Sequence, residues 1–180
     1  MNKAALIDRW STREKPDQTL ENCINDYNTL KSLLSSVESD WENPQDLDLR
    51  GVRLKDCLVT SQAELTYSIF DYSEFRNCHF KEVNFFGSQF FQCEFYNCIF
   101  EKCNMTSIRA EESLFNKCEI KNSHCMTSTF NQSIFKNSQL TTSAFDNAFF
   151  EATIFEESQQ QNSDFDQAKI SNEQLTLLNI

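Results

Sequence analysis

The sequence predicts an all-β solenoid, a chain wound into stacked polygonal coils, with a small helical cap ahead of it. Three observations predict it. Of the residues at every fifth position from Leu65 to Ile170, only Gln160 is not apolar, and fourteen are phenylalanine. The residue two before each of these centres is Ala, Ser, Cys, Thr or Val, with Ile108 as the exception. The other three positions of each pentad are mostly polar. The 180 residues also hold only two Gly and two Pro, few turn formers for a chain built on ordinary loops.

Period five decides between architectures. Five residues advance an α-helix by about 500°, so the Phe row would wander over every face. In a flat strand an odd period sends successive side chains to opposite faces. A polygonal coil keeps them all inside, if each pentad forms one side and turns one corner. Coils of this kind stack through backbone hydrogen bonds at about 4.8 Å, and each buries its core against its neighbours.

Units such as NCHFK, NCIFE, QSIFK and EATIFEE resemble the pentapeptide-repeat family, whose theme is A-(D/N)-L-x-x with Phe as the alternative centre. The resemblance spans about residues 47–172. It implies a right-handed quadrilateral β-helix with four pentads per coil. The centre and the residue two before it would point inward. At about 4.8 Å per coil, roughly 5.5 coils would make a rod roughly 26 Å long.

The elements follow in chain order. Residues 1–46 do not repeat and are expected to cap the open first coil, as a solenoid requires. Ala4 to Trp10 suit a short first helix. Cys23, Tyr27, Leu30, Leu34 and Val37 mark one face of an amphipathic helix, and Pro16 and Asp17 suit its start. The repeat opens in an earlier phase with centres Leu49, Leu54 and Val59, preceded by Leu47, Val52 and Cys57. The step from Val59 to Leu65 is one residue too long, which predicts a bulge near Thr60 to Glu64. Ala110 is an undersized centre beside an oversized Ile108, a volume-conserving exchange that a close-packed interior tolerates. Residues 173–180 break the pattern and predict a short helix that closes the far end or mediates dimerisation.

Cysteines and histidines are absorbed by the repeat. Cys57, Cys78, Cys93, Cys98, Cys103 and Cys118 occupy the small inward position and Cys125 a centre, so they read as reduced core thiols. Cys78, Cys98 and Cys118 should stack in one column with Cα atoms within disulfide range, so that a disulfide or a metal is the alternative to reduced thiols. His79 and His124 precede centres, face solvent on different coils without a fixed carboxylate partner, and read as surface residues. No GxxxxGKS/T, HExxH, GxSxG or GxGxxG motif occurs. No catalytic, metal or cofactor site is expected, because a smooth convex rod offers no cleft.

Charge and exposed apolar groups carry the functional expectations. The net charge of −11 argues against gripping nucleic acid or an anionic membrane. No apolar run reaches the roughly 18 residues of a membrane span. The N-terminus has no apolar signal region, so a cytoplasmic location is expected. Asp146, Glu151, Glu156, Glu157, Asp164 and Asp166 concentrate acid near the C-terminus. The family's fluoroquinolone-resistance members are acidic rods that resemble duplex DNA and occupy the DNA site of a type II topoisomerase. Their C-terminal helix makes end-to-end dimers. The resemblance therefore implies a protein-binding scaffold that engages a DNA-handling enzyme such as DNA gyrase. Separately, Leu114, Ile134 and Ile154 should form an outward aliphatic ladder, and Phe86, Phe91 and Tyr96 should ring one coil. An immunity or adaptor protein that neutralises a toxin would use these apolar groups.

Overall fold

The computed structural model of the protein describes residues 2–10, 24–34 and 46–179. Its body is a four-sided β-solenoid. Two sides are parallel sheets of three-residue strands. One holds β1 (Arg53–Lys55), β3 (Glu74–Arg76), β5 (Glu94–Tyr96), β7 (Leu114–Asn116), β9 (Ile134–Lys136) and β11 (Ile154–Glu156), in that order. The other holds β2 (Leu58–Thr60), β4 (His79–Lys81), β6 (Ile99–Glu101), β8 (Glu119–Lys121), β10 (Gln139–Thr141) and β12 (Gln159–Gln161). The remaining two sides are ladders of single parallel bridges, from Asp48 to Lys169 and from Glu64 to Asp164. Upper coils pair residues twenty apart, as in Ile134↔Ile154, so four pentads make one coil. Below the bulge the offset is twenty-one, as in Leu58↔His79, and it becomes twenty at Glu64↔Asn84. The expected extra residue thus sits between Thr60 and Glu64.

Each strand but β12, whose middle Gln160 is half-buried, buries its middle residue, and the centres form four internal files. Phe75, Phe95, Phe115, Phe135 and Phe155 stack without a break, at 4.8, 4.8, 4.6 and 5.3 Å between ring centroids. Adjacent files meet edge to face, as Phe75 and Phe80 do at 5.6 Å. Both geometries suit the ring quadrupole. Ile108 and Ala110 are both fully buried, which places their volume exchange inside the core.

Corners explain how so few glycines suffice. From Tyr67 to Gln167, the residue two after each centre has φ between +49° and +68°. That left-handed conformation costs a non-glycine residue about 1–2 kcal/mol. Asn, which tolerates it best, stands at 77, 97, 122, 137, 147 and 162. Elsewhere the conformation is held by the coil above. The N–H of Lys117, for example, donates to the carbonyl of Lys136 at 2.8 Å.

The small inward position does more than make room. At several of these positions the hydroxyl donates to the carbonyl of a centre in the coil below and accepts the N–H of the residue directly beneath it. Ser133 Oγ donates to Ala110 at 2.5 Å and accepts from the Ser113 N–H at 3.1 Å. Ser123, Ser138 and Ser143 repeat the pattern. A buried N–H left without a partner costs about 1–3 kcal/mol, so Ser133→Ala should destabilise by about that amount. Amide exchange at Ser113 should accelerate, and an unchanged rate there would show that the hydroxyl ladder is dispensable.

Both ends are capped. At the first coil, α1 (Lys3–Asp8) lies against Gly51 and buries Leu6. Arg9 forks onto Asp48 at 2.8 and 2.9 Å, and Trp10 Nε1 donates to the Arg50 carbonyl. The segment before and along α2 (Tyr27–Leu34) buries Ile24 and Leu30 in the same core as Leu49, Leu54 and Val59. Asn25 bonds the carbonyl of Leu58 and the N–H of Thr60, which satisfies part of the exposed edge of β2. Of the residues expected in that amphipathic helix, Cys23 and Val37 lie outside the described residues, as do Pro16 and Asp17.

At the last coil, α3 (Asn172–Leu177) starts one residue earlier than expected, in a capping box of Ser171 and Gln174. Gln174 Nε2 also donates to the Phe150 and Thr153 carbonyls, which have no further coil above them. Leu178 is fully buried. Gln160, the one polar centre, lies at this end, where its Oε1 accepts the Ser163 N–H that a serine of a further coil would otherwise receive. This helix therefore lies over the last coil.

Candidate interaction surface

The repeat fixes where each outward residue points. Residues preceding a centre stack in files on the outer faces. Leu114, Ile134 and Ile154 form one such file by direct strand register, continuing Glu74 and Glu94. Leu114 is half-buried, whereas Ile134 is 36% and Ile154 54% exposed. The apolar file thus opens towards the C-terminal end.

There the structure adds two residues that the sequence reading missed. Phe149, 42% exposed, stands on the neighbouring side, and Leu177, 52% exposed, projects from α3. Phe149, Ile154 and Leu177 line one open groove between α3 and the corner at Ala152, with Glu151, Lys169 and Glu173. Phe149 could have been found, because it occupies an outward position next to a Phe centre. Leu177 could not, because only the fold-back of α3 brings it to Ile154.

Phe86, Phe91 and Tyr96 do stand on successive sides of one coil, but they are half-buried rather than open. Their cover comes from the coil below. Tyr67 meets Phe86 edge-on at 5.5 Å, Tyr72 meets Phe91 at 5.8 Å, and the Arg76 guanidinium lies 4.2 Å from the Tyr96 ring. Lys3 of α1 lies 5.8 Å from the centre of the Tyr72 ring.

The six acidic candidates do not converge. Asp146, Asp164 and Asp166 stand on the side of the Glu64–Asp164 ladder, Glu151 on the next side, and Glu156 and Glu157 at β11 and its corner. Glu156 is paired with Lys136 of the coil below at 2.6 Å, and that pair pushes the Lys136 ammonium up. The fourth side carries the neutral Gln159 and Gln161 of β12. Acid therefore wraps three sides of the end and surrounds the apolar corner.

His79 departs from the sequence expectation. It is half-buried, and its Nε2 lies 2.8 Å from Glu101 Oε2 across one coil step. The bond to His79 holds the Glu101 carboxyl below its ordinary range. Both groups extend from outward positions of the second sheet. Burial pushes the Cys93 thiol up and the Cys103 thiol up to about 12. Among the described residues no group of His, Cys, Asp and Glu is arranged to hold a metal ion.

No family model matches the sequence, and no curated protein is significantly similar to it. Three solved structures that resemble it are distant in sequence. A pentapeptide repeat protein (Rfr23) from the cyanobacterium Cyanothece 51142 is 12% identical, covering 69% of this chain and 94% of its own, with a TM-score of 0.45. A pentapeptide repeat protein of the Arabidopsis thaliana thylakoid lumen is 19% identical over 57% of this chain and 67% of its own, with a TM-score of 0.46. QnrB1, a plasmid-mediated fluoroquinolone resistance protein, is 15% identical over 73% of this chain and 78% of its own, with a TM-score of 0.31. Its five-residue period, twenty-residue register and internal phenylalanine files make the chain a four-sided β-solenoid wound from five-residue repeats.

Proposed function

We propose that the chain is a non-catalytic protein-binding scaffold whose contact surface is the apolar corner at its C-terminal end. One observation carries the reading: Ile134, Ile154, Phe149 and Leu177 are exposed together. Clustered apolar exposure of this kind marks contact sites. The surrounding acids select the partner. Between residues 140 and 180, seven carboxylates face a single cation, Lys169. The complementary partner is an apolar projection framed by Lys and Arg. A second copy of the chain fits poorly, because two such acidic ends would repel.

Enzymes that handle DNA present basic surfaces of this kind, and DNA gyrase is the specific candidate. The spread of acid around three sides supports charge complementarity, while the neutral side of β12 departs from the uniform charge of a duplex. Supercoiling by purified gyrase tests this version. Inhibition or protection at micromolar protein is expected, and unchanged supercoiling removes gyrase. A toxin or effector with the same basic and apolar pattern is the other class of partner for the same corner.

Ile154→Asp tests the surface itself. The side chain points outward, so the unfolding midpoint should stay within about 0.5 kcal/mol of the parent. Loss of its burial in a complex is worth about 1.5–3 kcal/mol, a roughly tenfold to hundredfold weaker affinity. Unchanged affinity for the partner would place the contact elsewhere.

A further inference from the structure

On the reading that the C-terminal corner is a contact surface, the spacing of the apolar file beneath it selects what lies there. Leu114, Ile134 and Ile154 stand one per coil in direct register on β7, β9 and β11. The rings immediately behind them, Phe115, Phe135 and Phe155, step by 4.6 and 5.3 Å. Three rungs therefore span about 10 Å along the rod. An α-helix presents residues i, i+4 and i+7 on one face over about 10.5 Å, so its apolar side chains meet the rungs in step. An extended strand presents i, i+2 and i+4 over about 13 Å and has lost register by the third rung.

The file is bounded at both ends. Below Leu114 it continues as Glu94, a carboxylate that accepts the Tyr96 hydroxyl at 2.9 Å. Above Ile154 it runs into the groove that Phe149 and Leu177 line. Its two sides differ in charge. Along one stand the exposed carboxylates of Glu112, at the corner two residues before Leu114, and of Glu151 and Glu173 in the groove. Lys169, also in the groove, stands one coil above Phe149, away from the file. Along the other side are Asn116 and Lys136, and Lys136 is committed to Glu156 at 2.6 Å.

We propose that the occupant is an amphipathic α-helix of a partner protein, laid along the solenoid axis. Its residues i, i+4 and i+7 pack on Leu114, Ile134 and Ile154, and Lys or Arg on one flank faces Glu112 and Glu151. About three turns, or roughly 11 residues, cover the strip. So short a helix is marginal alone in water, and it gains its order by burying its apolar face on the file. The one-sided acid decides which way the helix is rolled and rejects an acidic counterpart.

The test uses the whole protein and three fluorescein-labelled synthetic peptides. The first carries Leu at i, i+4, i+7 and i+11 with Lys on one flank. The second has the same residues in alternating apolar and polar order, and the third is the first with Glu in place of Lys. Fluorescence anisotropy should show the first binding at least tenfold tighter than the other two, with its helicity rising on binding by circular dichroism. Leu114→Glu and Ile134→Glu should each weaken it at least tenfold, and Gln139→Glu, on the second sheet, should not. Both ladder variants should fold, because glutamate already occupies this file at 74 and 94. Tighter binding of the alternating peptide, lost in Ile154→Asp, would overturn the helix and keep the corner as a contact surface. So would binding lost in Ile154→Asp and untouched in Leu114→Glu. Binding that none of the ladder variants weakens would remove corner and helix together. No binding of the first peptide at about 100 μM would overturn the proposal, as would self-association of the protein that Ile134→Glu abolishes, which gives the face to a second copy.

Discussion

Phe115→Ala should destabilise the solenoid by about 3–5 kcal/mol, the largest loss from a single substitution in the chain. Phe115 stacks on Phe95 at 4.8 Å and on Phe135 at 4.6 Å in the unbroken file. Phe100 and Phe130 lean on it from the adjoining files at 6.4 and 6.1 Å. Its own coil has no other aromatic centre, since Ala110, Ile120 and Cys125 complete the level. Truncation therefore opens a cavity where the neighbours are smallest and least able to fill it. Coils are stabilised only by the coils beside them, so the gap also weakens coupling between the two halves of the rod. In a chain of this length the midpoint of thermal unfolding should fall by roughly 6–20 °C. Phe165→Ala, at a half-buried centre of the last coil, should cost less. Urea unfolding followed by circular dichroism would measure both, and equal losses would contradict the internal-file account.

The second prediction contrasts the two glycines. Gly51 and Gly87 both occupy corners, with φ of +74° and +68°. Conformation alone does not demand glycine, because Ala152 holds the same corner at φ +55°. Surroundings separate the two positions. A Cβ on Gly51 would lie 2.5 Å from the Leu6 carbonyl oxygen and 2.8 Å from the Ile7 nitrogen, both backbone atoms of α1. The atoms nearest a Cβ on Gly87 would belong to the Tyr67 ring, an exposed side chain that can swing aside. Gly87→Ala should therefore cost about 1 kcal/mol, the price of the left-handed corner. Gly51→Ala adds the displacement of α1 and the loss of Leu6 burial, and should cost about 3 kcal/mol in total. Amide exchange in α1 should rise in Gly51→Ala and stay unchanged in Gly87→Ala. Protected α1 amides in both variants would show that α1 docks elsewhere than on Gly51.

The course of the chain could be read from the sequence because one residue in five repeats a single physical demand. Phe75 to Phe155, the bulge after Thr60 and the exchange of Ile108 with Ala110 all follow from which side chains must be inside. The serines of the inward position were legible only as small residues. Their hydroxyls matter because several inward N–H groups, that of Ser113 among them, donate to a hydroxyl of the coil above, and that role appears only when coils are stacked. The caps were legible as breaks in the pattern. The amide chemistry of Gln160 and Gln174 was not, because it answers to carbonyls and N–H groups left open by the absence of a further coil. The outward ladder of Leu114, Ile134 and Ile154 followed from the period, whereas the half-cover of Phe86, Phe91 and Tyr96 came from Tyr67, Tyr72 and Arg76 of another coil.

What the amino-acid order determined alone is the inside of this protein: a five-residue period allows only a winding that returns every centre to the interior, and close packing then sets which residues fill it. What the tertiary structure decided is the outside. Six acids that adjoin in sequence are divided among three sides by the corners, and Leu177 reaches Ile154 only because α3 folds back over the last coil. The reason is that burial is dictated locally, pentad by pentad, while an exposed surface is assembled from residues twenty or more positions apart whose meeting depends on every turn between them.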